Sequence, residues 1–169
     1  MQNYSLGKIF KVMKMILALF ALLLAIVGGI AFVQTNPKNI SFPFFTKTAT
    51  ATIANHTFTL LLAKSAQEKE IGLSEKTSLP QDTGMLFSFG QSDYYSFWMK
   101  NMKIPIDMIY INKNKIVTIY ENLQPPKSKD ESLPILKPSE PSDTVLEINA
   151  GLAQKYGFKK GDAVKLENL

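Results

Sequence analysis

Residues Met15 to Val33, MILALFALLLAIVGGIAFV, contain no charged side chain, and this run divides the chain into parts that must meet different surroundings. As a helix at ~1.5 Å per residue it extends roughly 28 Å, close to the hydrocarbon thickness of a bilayer. Lys8, Lys11 and Lys14 precede it, and Gln34, Thr35, Asn36 and Pro37 follow. Gly29 and Ala31 are small enough for a signal-peptidase site, but a secretory apolar core is usually ~7 to 15 residues. The longer run predicts a retained anchor rather than a cleaved leader. Positive charge marks the cytoplasmic end of such anchors. Residues 1–14 are therefore expected inside, 15–33 across the cell membrane as a single pass, 34–47 as an extended linker, and 48–169 as a domain outside the cytoplasm.

The net charge of +5 has to be divided between these parts. Without Lys8, Lys11 and Lys14 the 19 basic residues fall to 16 against 14 acidic ones, which leaves +2 on the remainder. The chain has no arginine, the residue that makes bidentate contacts to bases and phosphates, and no basic run outside the first segment. No nucleic-acid partner is expected. With no cysteine, folding outside the cytoplasm cannot rely on disulfides. His56 is the only histidine, so the usual zinc, haem and iron–sulfur ligand sets are also missing. Neither a metal nor a cofactor is expected, and the domain is read as monomeric.

Pattern and punctuation predict an α+β, β-rich fold: a compact mixed sheet or partly closed barrel with two short helices, preceded by one transmembrane helix. TATATIA and TFTLLLA, around Asn55 and His56, predict a hairpin with His56 at the break. Ser65 and Glu68 have the spacing of a capping box, so a helix is expected over SAQEKEIG, ending at Gly72. Met85 to Phe89 and Phe97 to Lys100 have strand composition, with a turn from Asn101 to Pro105. Ile106 to Ile111 and Lys115 to Tyr120 predict a second hairpin, in which alternation puts Asp107, Ile109 and Ile111 on one face and Met108 and Tyr110 on the other. Glu121 to Thr144 is proline-rich and reads as a long loop, functional or mobile. A strand from Val145 to Ile148, a helix from Ala150 to Tyr156 and a last strand in AVKLENL complete the chain. Phe42, Phe44 and Phe45 in the linker suit either the membrane interface or the surface of the domain.

Several of these stretches stand in a recognisable order: Glu68 to Leu73, then GMLFSF, FWMKNMKIPIDMIYI, VLEINAG and GFKKGDAV. In this the chain resembles the domain of unknown function 192 family over Thr48 to Leu169. The resemblance implies a compact β-rich fold and export, and implies no particular activity. The family's early helix usually carries an arginine and its Gly-Leu is usually followed by methionine. Here that helix has only lysine and glutamate, and Ser74 follows Leu73.

The polar residues within YSFWMKNMKIPIDM allow two readings. In one, Trp98 is core, Lys100 is solvated, Asn101 caps a turn and Asp107 accepts backbone hydrogen bonds, as buried polar groups ordinarily do. In the other, Trp98, Lys100, Asn101, Asp107 and Glu147 line a ligand pocket. The function expected is a membrane-anchored binding or assembly module that faces an envelope protein or a small ligand. The alternative is a small hydrolase with Asp107 and Glu147 as general acid and base. No nucleophile motif or phosphate-cradling glycine loop supports that enzyme, so no catalytic residue is assigned.

Overall fold

A computed structural model describes residues 48–128 and 130–169, together with residues 11, 13–17 and 19, which are helical. The chain separates into two compact units, Met1–Phe45 and Thr46–Leu169. Among the described residues, no helix is long and apolar enough to cross a membrane. Most of the anchor expected over Met15 to Val33, and all of the linker after it, lie outside the described residues.

The second unit is built on seven strands, β1 (Thr50–Ile53), β2 (His56–Ala63), β3 (Thr83–Asp93), β4 (Ile106–Asn112), β5 (Lys115–Leu123), β6 (Ser142–Asn149) and β7 (Val164–Glu167). Two short helices, α1 (Ala66–Ile71) and α2 (Leu152–Tyr156), interrupt them. The strands form one sheet in the order β5-β4-β6-β3-β2-β1-β7. Every pair is antiparallel except β2 with β3, which run parallel because α1 and its following loop carry the chain back. The sheet curls until its two edges meet. Ile116 N–H donates to Asp162 (3.0 Å), and Val164 N–H donates to Asn114 (2.8 Å). This is the β-rich fold expected, in its partly closed form.

Curling gives the sheet an inner and an outer apolar face. Ile53, Phe58, Leu86, Ile109, Ile111, Leu146 and Ile148 pack with Leu152, Ala153 and Phe158 in one cluster. Phe87, Ile106, Met108, Tyr110 and Val145 form the other, under Leu73, Met99, Met102 and Leu136 from the connecting segments. The residues of β4 alternate between these clusters, which is why all of Ile106 to Ile111 is buried. Gly84 allows β3 to lie close to β6. A Cβ there would fall 2.8 Å from Leu146 Cδ1 and 2.9 Å from the Glu147 carbonyl oxygen.

Local signals hold where the chemistry is local. Ser65 Oγ accepts from Glu68 N–H (3.1 Å), and Glu68 Oε2 accepts from Ser65 N–H (2.7 Å), a complete capping box. The bonds that Glu68 Oε2 accepts, from the Ser65 N–H first, then the Ser65 hydroxyl and the Lys64 N–H, lower the pKa of its carboxyl. The β4–β5 hairpin turns at Lys113 and Asn114, both at positive φ, the conformation that suits the twist of adjoining strands.

Three expectations are corrected. Phe97 to Lys100 is no strand; Phe97 makes a single bridge to Leu136, and the chain then turns through Asn101 at φ 60°. His56, expected at the break, is instead the first residue of β2, and its ring stacks on Tyr156 at 3.6 Å. The proline-rich segment is shorter than expected, because β5 runs to Leu123 and β6 begins at Ser142, and its later part is strapped to the sheet. Leu136 accepts from Phe97 N–H (2.9 Å) and from the Tyr110 hydroxyl (3.0 Å), while Lys137 accepts from the Tyr120 hydroxyl (2.7 Å).

Candidate functional site

Two carboxylates occur in the middle of the sheet, and strand register sends them opposite ways. Residues directly opposite in a strand pair share a face, and neighbours along a strand do not. Met108 of β4 and Met85 of β3 both pair with Glu147, so Glu147 joins the outer cluster beside Val145. Asp107 pairs with Ile148 and faces the inner cluster. Asp107 and Glu147 therefore lie on opposite faces of the sheet, which is no arrangement for a shared acid–base site.

Asp107 is fully buried and fully engaged. Its Oδ1 accepts from Asn122 N–H (2.7 Å) and Gly151 N–H (2.9 Å), and its Oδ2 accepts from Ala153 N–H (2.8 Å). The reason lies in the two segments it joins. Helix α2 begins after Gly151, which has no side chain to cap it, so a carboxylate from β4 takes the amides of its first turn. Asn122 adopts φ 53° where the β4–β5 register slips, and its displaced N–H turns to Asp107. Of the two readings of this residue, the hydrogen bonds describe the structural one.

Glu147 is the reverse case. It is only 5% exposed, and among the described residues its Oε2 has no hydrogen-bond partner. Burial among methionine and aromatic side chains pushes its carboxyl up to about 8. The same surroundings raise the Tyr110 hydroxyl, through burial first and then the nearness of Tyr120 and Glu147. Glu147 lines a cavity of ≈ 320 Å³. Phe87, Phe89 and Phe97 supply aromatic walls, and Lys69 to Ser74, the end of α1 and its turn, form one side. Trp98 and Lys100 form the other, with Trp98 56% exposed at the lip.

The cavity has a polarity of its own. Lys69 Nζ lies 4.7 Å from the Phe89 ring centre and donates to the Ser88 carbonyl. Lys100 Nζ lies 5.2 Å from the Trp98 ring. Tyr95 stacks on Phe89 at 3.7 Å, holding the segment after β3 against the wall. An apolar interior thus carries one buried acid, with two ammonium groups on its aromatic sides.

Of the five residues that the sequence nominates, Trp98, Lys100 and Glu147 line this cavity. Asn101 lies in a separate depression with Lys103, Pro126 and Lys127, and Asp107 is on the other face. Sequence reasoning missed Lys69, Phe89 and Tyr95. The signal available for Lys69 was its place in the last turn of a helix whose capping box was already legible. Among the described residues, no group of three or more histidine, cysteine, aspartate or glutamate side chains could hold a metal ion.

A curled seven-stranded sheet with a buried, unpartnered acid under an aromatic cavity defines the structural class. The chain belongs to the DUF192 family, described as an uncharacterized ACR, whose pattern matches residues 47–166. A crystal structure of a protein of unknown function from Novosphingobium aromaticivorans DSM 12444 is 36% identical, with a TM-score of 0.61, over 70% of this chain and 83% of that one. A second, from Sinorhizobium meliloti 1021 and described as a candidate transcription regulator, is 34% identical, with a TM-score of 0.63, over 72% of this chain and 93% of that one. No curated protein matches the chain.

Proposed function

We propose that residues 48–169 form a binding module for a small ligand, seated in the cavity above Glu147. The supporting observation is the Glu147 Oε2 atom, buried and without a partner. A buried polar group left unbonded is costly to folding, so its retention beside a cavity points to a partner supplied from outside the chain. At ≈ 320 Å³ the space suits a molecule of metabolite size rather than a polymer. In this reading the module lies outside the cytoplasm, tethered by Met15 to Val33, with an envelope protein as the alternative partner; the lysines before the apolar run support that orientation.

A hydrolytic role finds no support in the pair first considered for it, because Asp107 and Glu147 face apart. The regulatory description attached to the Sinorhizobium meliloti relative has no counterpart in this sequence either, since the chain lacks arginine and a basic run outside its first segment.

Trp98, the chain's only tryptophan, stands at the lip of the cavity and serves as an intrinsic reporter. Fragment titrations followed by its fluorescence and by NMR are expected to move Trp98, Lys69 and the residues around Glu147 together. A ligand set that shifts only distant surface residues would remove this reading.

A further inference from the structure

We infer that the cavity above Glu147 takes a small primary amine with an apolar body and an anionic group: its ammonium on Glu147, its anion toward Lys100. This deepens the binding-module reading and rests on it. The Glu147 carboxyl at the cavity has an oxygen, Oε2, without a partner among the described residues, and the side chains paired beside it are Met85 and Met108. Thioethers give it nothing to bond. Once the carboxyl gives up its proton it is acceptor-only, and an ammonium then both donates to it and compensates its charge.

The walls favour more than a plain hydrocarbon amine. Lys69 and Lys100 are both at the cavity, and Lys69 is already committed to the Ser88 carbonyl and the Phe89 ring. Among the described residues Lys100 meets only the Trp98 ring, and its exposed charge is available to an anion. A ligand with an anion at its outer end meets Lys100 there, a contact that a plain amine lacks. Aromatic walls between floor and mouth suit a methylene or larger apolar body.

The proton behaviour follows from the groups around Glu147. Lys69 and Glu70 face the cavity from α1, and Tyr95 and Lys100 from the segment after β3. Tyr110 comes from β4, with Tyr120 beyond it on β5, while β3 offers Met85, Phe87 and Phe89, none of which titrates. With the Glu147 carboxyl at about 8, an ammonium ligand must displace its proton, so affinity rises as pH rises. From pH 6 to pH 8 the expected gain is about 50-fold.

The experiment titrates the full chain with 6-aminohexanoate, hexanoate and hexylamine at pH 6, 7 and 8, reading Trp98 fluorescence and calorimetric heat. The amine of 6-aminohexanoate resembles that of lysine and stays charged throughout, at a pKa of about 10. We expect 6-aminohexanoate to bind at least about 10-fold more tightly than either single-ended probe, with the pH gain above. Glu147→Gln should flatten that pH dependence and weaken binding. Lys100→Met, at an exposed position, should weaken 6-aminohexanoate toward hexylamine without affecting folding. Hexanoate binding as tightly as 6-aminohexanoate, or an affinity that falls toward pH 8, overturns the amine assignment and leaves the cavity a binding site of another chemistry. If none of the three probes binds, the amine assignment fails, and a fragment screen that also leaves Trp98 and the Glu147 region unmoved removes the binding-module reading with it.

Discussion

Replacing Asp107 by asparagine exchanges one carboxylate oxygen for an amide nitrogen and tests the structural account of the inner face. The carboxylate accepts three backbone N–H groups at 2.7, 2.9 and 2.8 Å, two on Oδ1 and one on Oδ2. An asparagine oriented to keep its oxygen at the Oδ1 position retains Asn122 and Gly151, but presents its amide NH₂ to the N–H of Ala153. Two donors then face each other in a buried site. Loss of one hydrogen bond to a charged group is worth roughly 1.5–3 kcal/mol, and each donor left unsatisfied in the interior costs a similar amount. The first turn of α2 also loses the negative charge at its amino end.

Relaxation of the short helix recovers part of this, so the expected cost is about 3 kcal/mol. At roughly 4 °C per kcal/mol for a domain of this size, that is a fall of about 12 °C in Tm. Thermal unfolding of residues 48–169 followed by circular dichroism measures it, and urea titration supplies ΔG independently. A cost below about 1 kcal/mol, or a raised midpoint, would refute the three-bond account and return Asp107 to the candidates for ligand contact. Fluorescence of Trp98 should be unchanged in the variant, because Asp107 faces away from the cavity.

Glu147→Gln makes the opposite prediction. In the wild-type domain the buried carboxyl holds its proton up to about pH 8, while the unfolded chain releases it near 4.5, so the folded state binds the extra proton between those values. Stability contributed by that proton is present below pH 4.5 and is lost as pH rises to about 8, and the glutamine variant should lack this part of the slope in pH-dependent urea unfolding. Gly84→Ala should destabilise by roughly 1–3 kcal/mol in the same assay, since its methyl group meets Leu146 and the Glu147 carbonyl, with a backbone atom that cannot rotate away. Protease added outside intact cells with a permeable envelope should digest the domain and spare residues 1–14; protection until lysis would overturn the topology argued from the lysines before Met15. Residues 48–169 should also fold when expressed alone, as the compactness of Thr46–Leu169 suggests, and aggregation of that piece would refute it.

Much of the secondary structure was legible because its causes are local. The capping box at Ser65 and Glu68 and the asparagine-bearing turn at Asn114 each need only a few neighbouring residues. The segment Phe97 to Lys100 was misread for an instructive reason. Aromatic and apolar residues favour strands because a half-buried pleated surface suits them, and composition alone does not show whether such a surface has a free edge. Here β4, β6 and β3 fill the middle of the sheet, so the segment crosses it, burying Met99 and half-burying Phe97 while leaving Trp98 in solvent. The strap ending at Leu136 and Lys137 was hidden in the same way: its anchors, Tyr110 and Tyr120, are distant in sequence and supply hydroxyls rather than a hydrophobic period.

The two carboxylates show how far a sequence can carry a site. Alternation along β4 placed Asp107 with Ile109 and Ile111, and that is where it lies. Its relation to Glu147 depended on register between β4 and β6, a long-range pairing that no local pattern specifies. A single-residue slip would have put both acids on one face, among the same side chains, as a plausible acid–base pair. With the register as it stands, one acid has three backbone partners and the other has an empty volume beside it. A carboxylate whose acceptors are already filled by main-chain amides cannot bond a ligand without unfastening α2, whereas an unpartnered one gains from any donor that enters. That asymmetry favours Glu147 over Asp107 as the ligand-contacting acid, although both are buried, both are acidic and they lie on neighbouring strands.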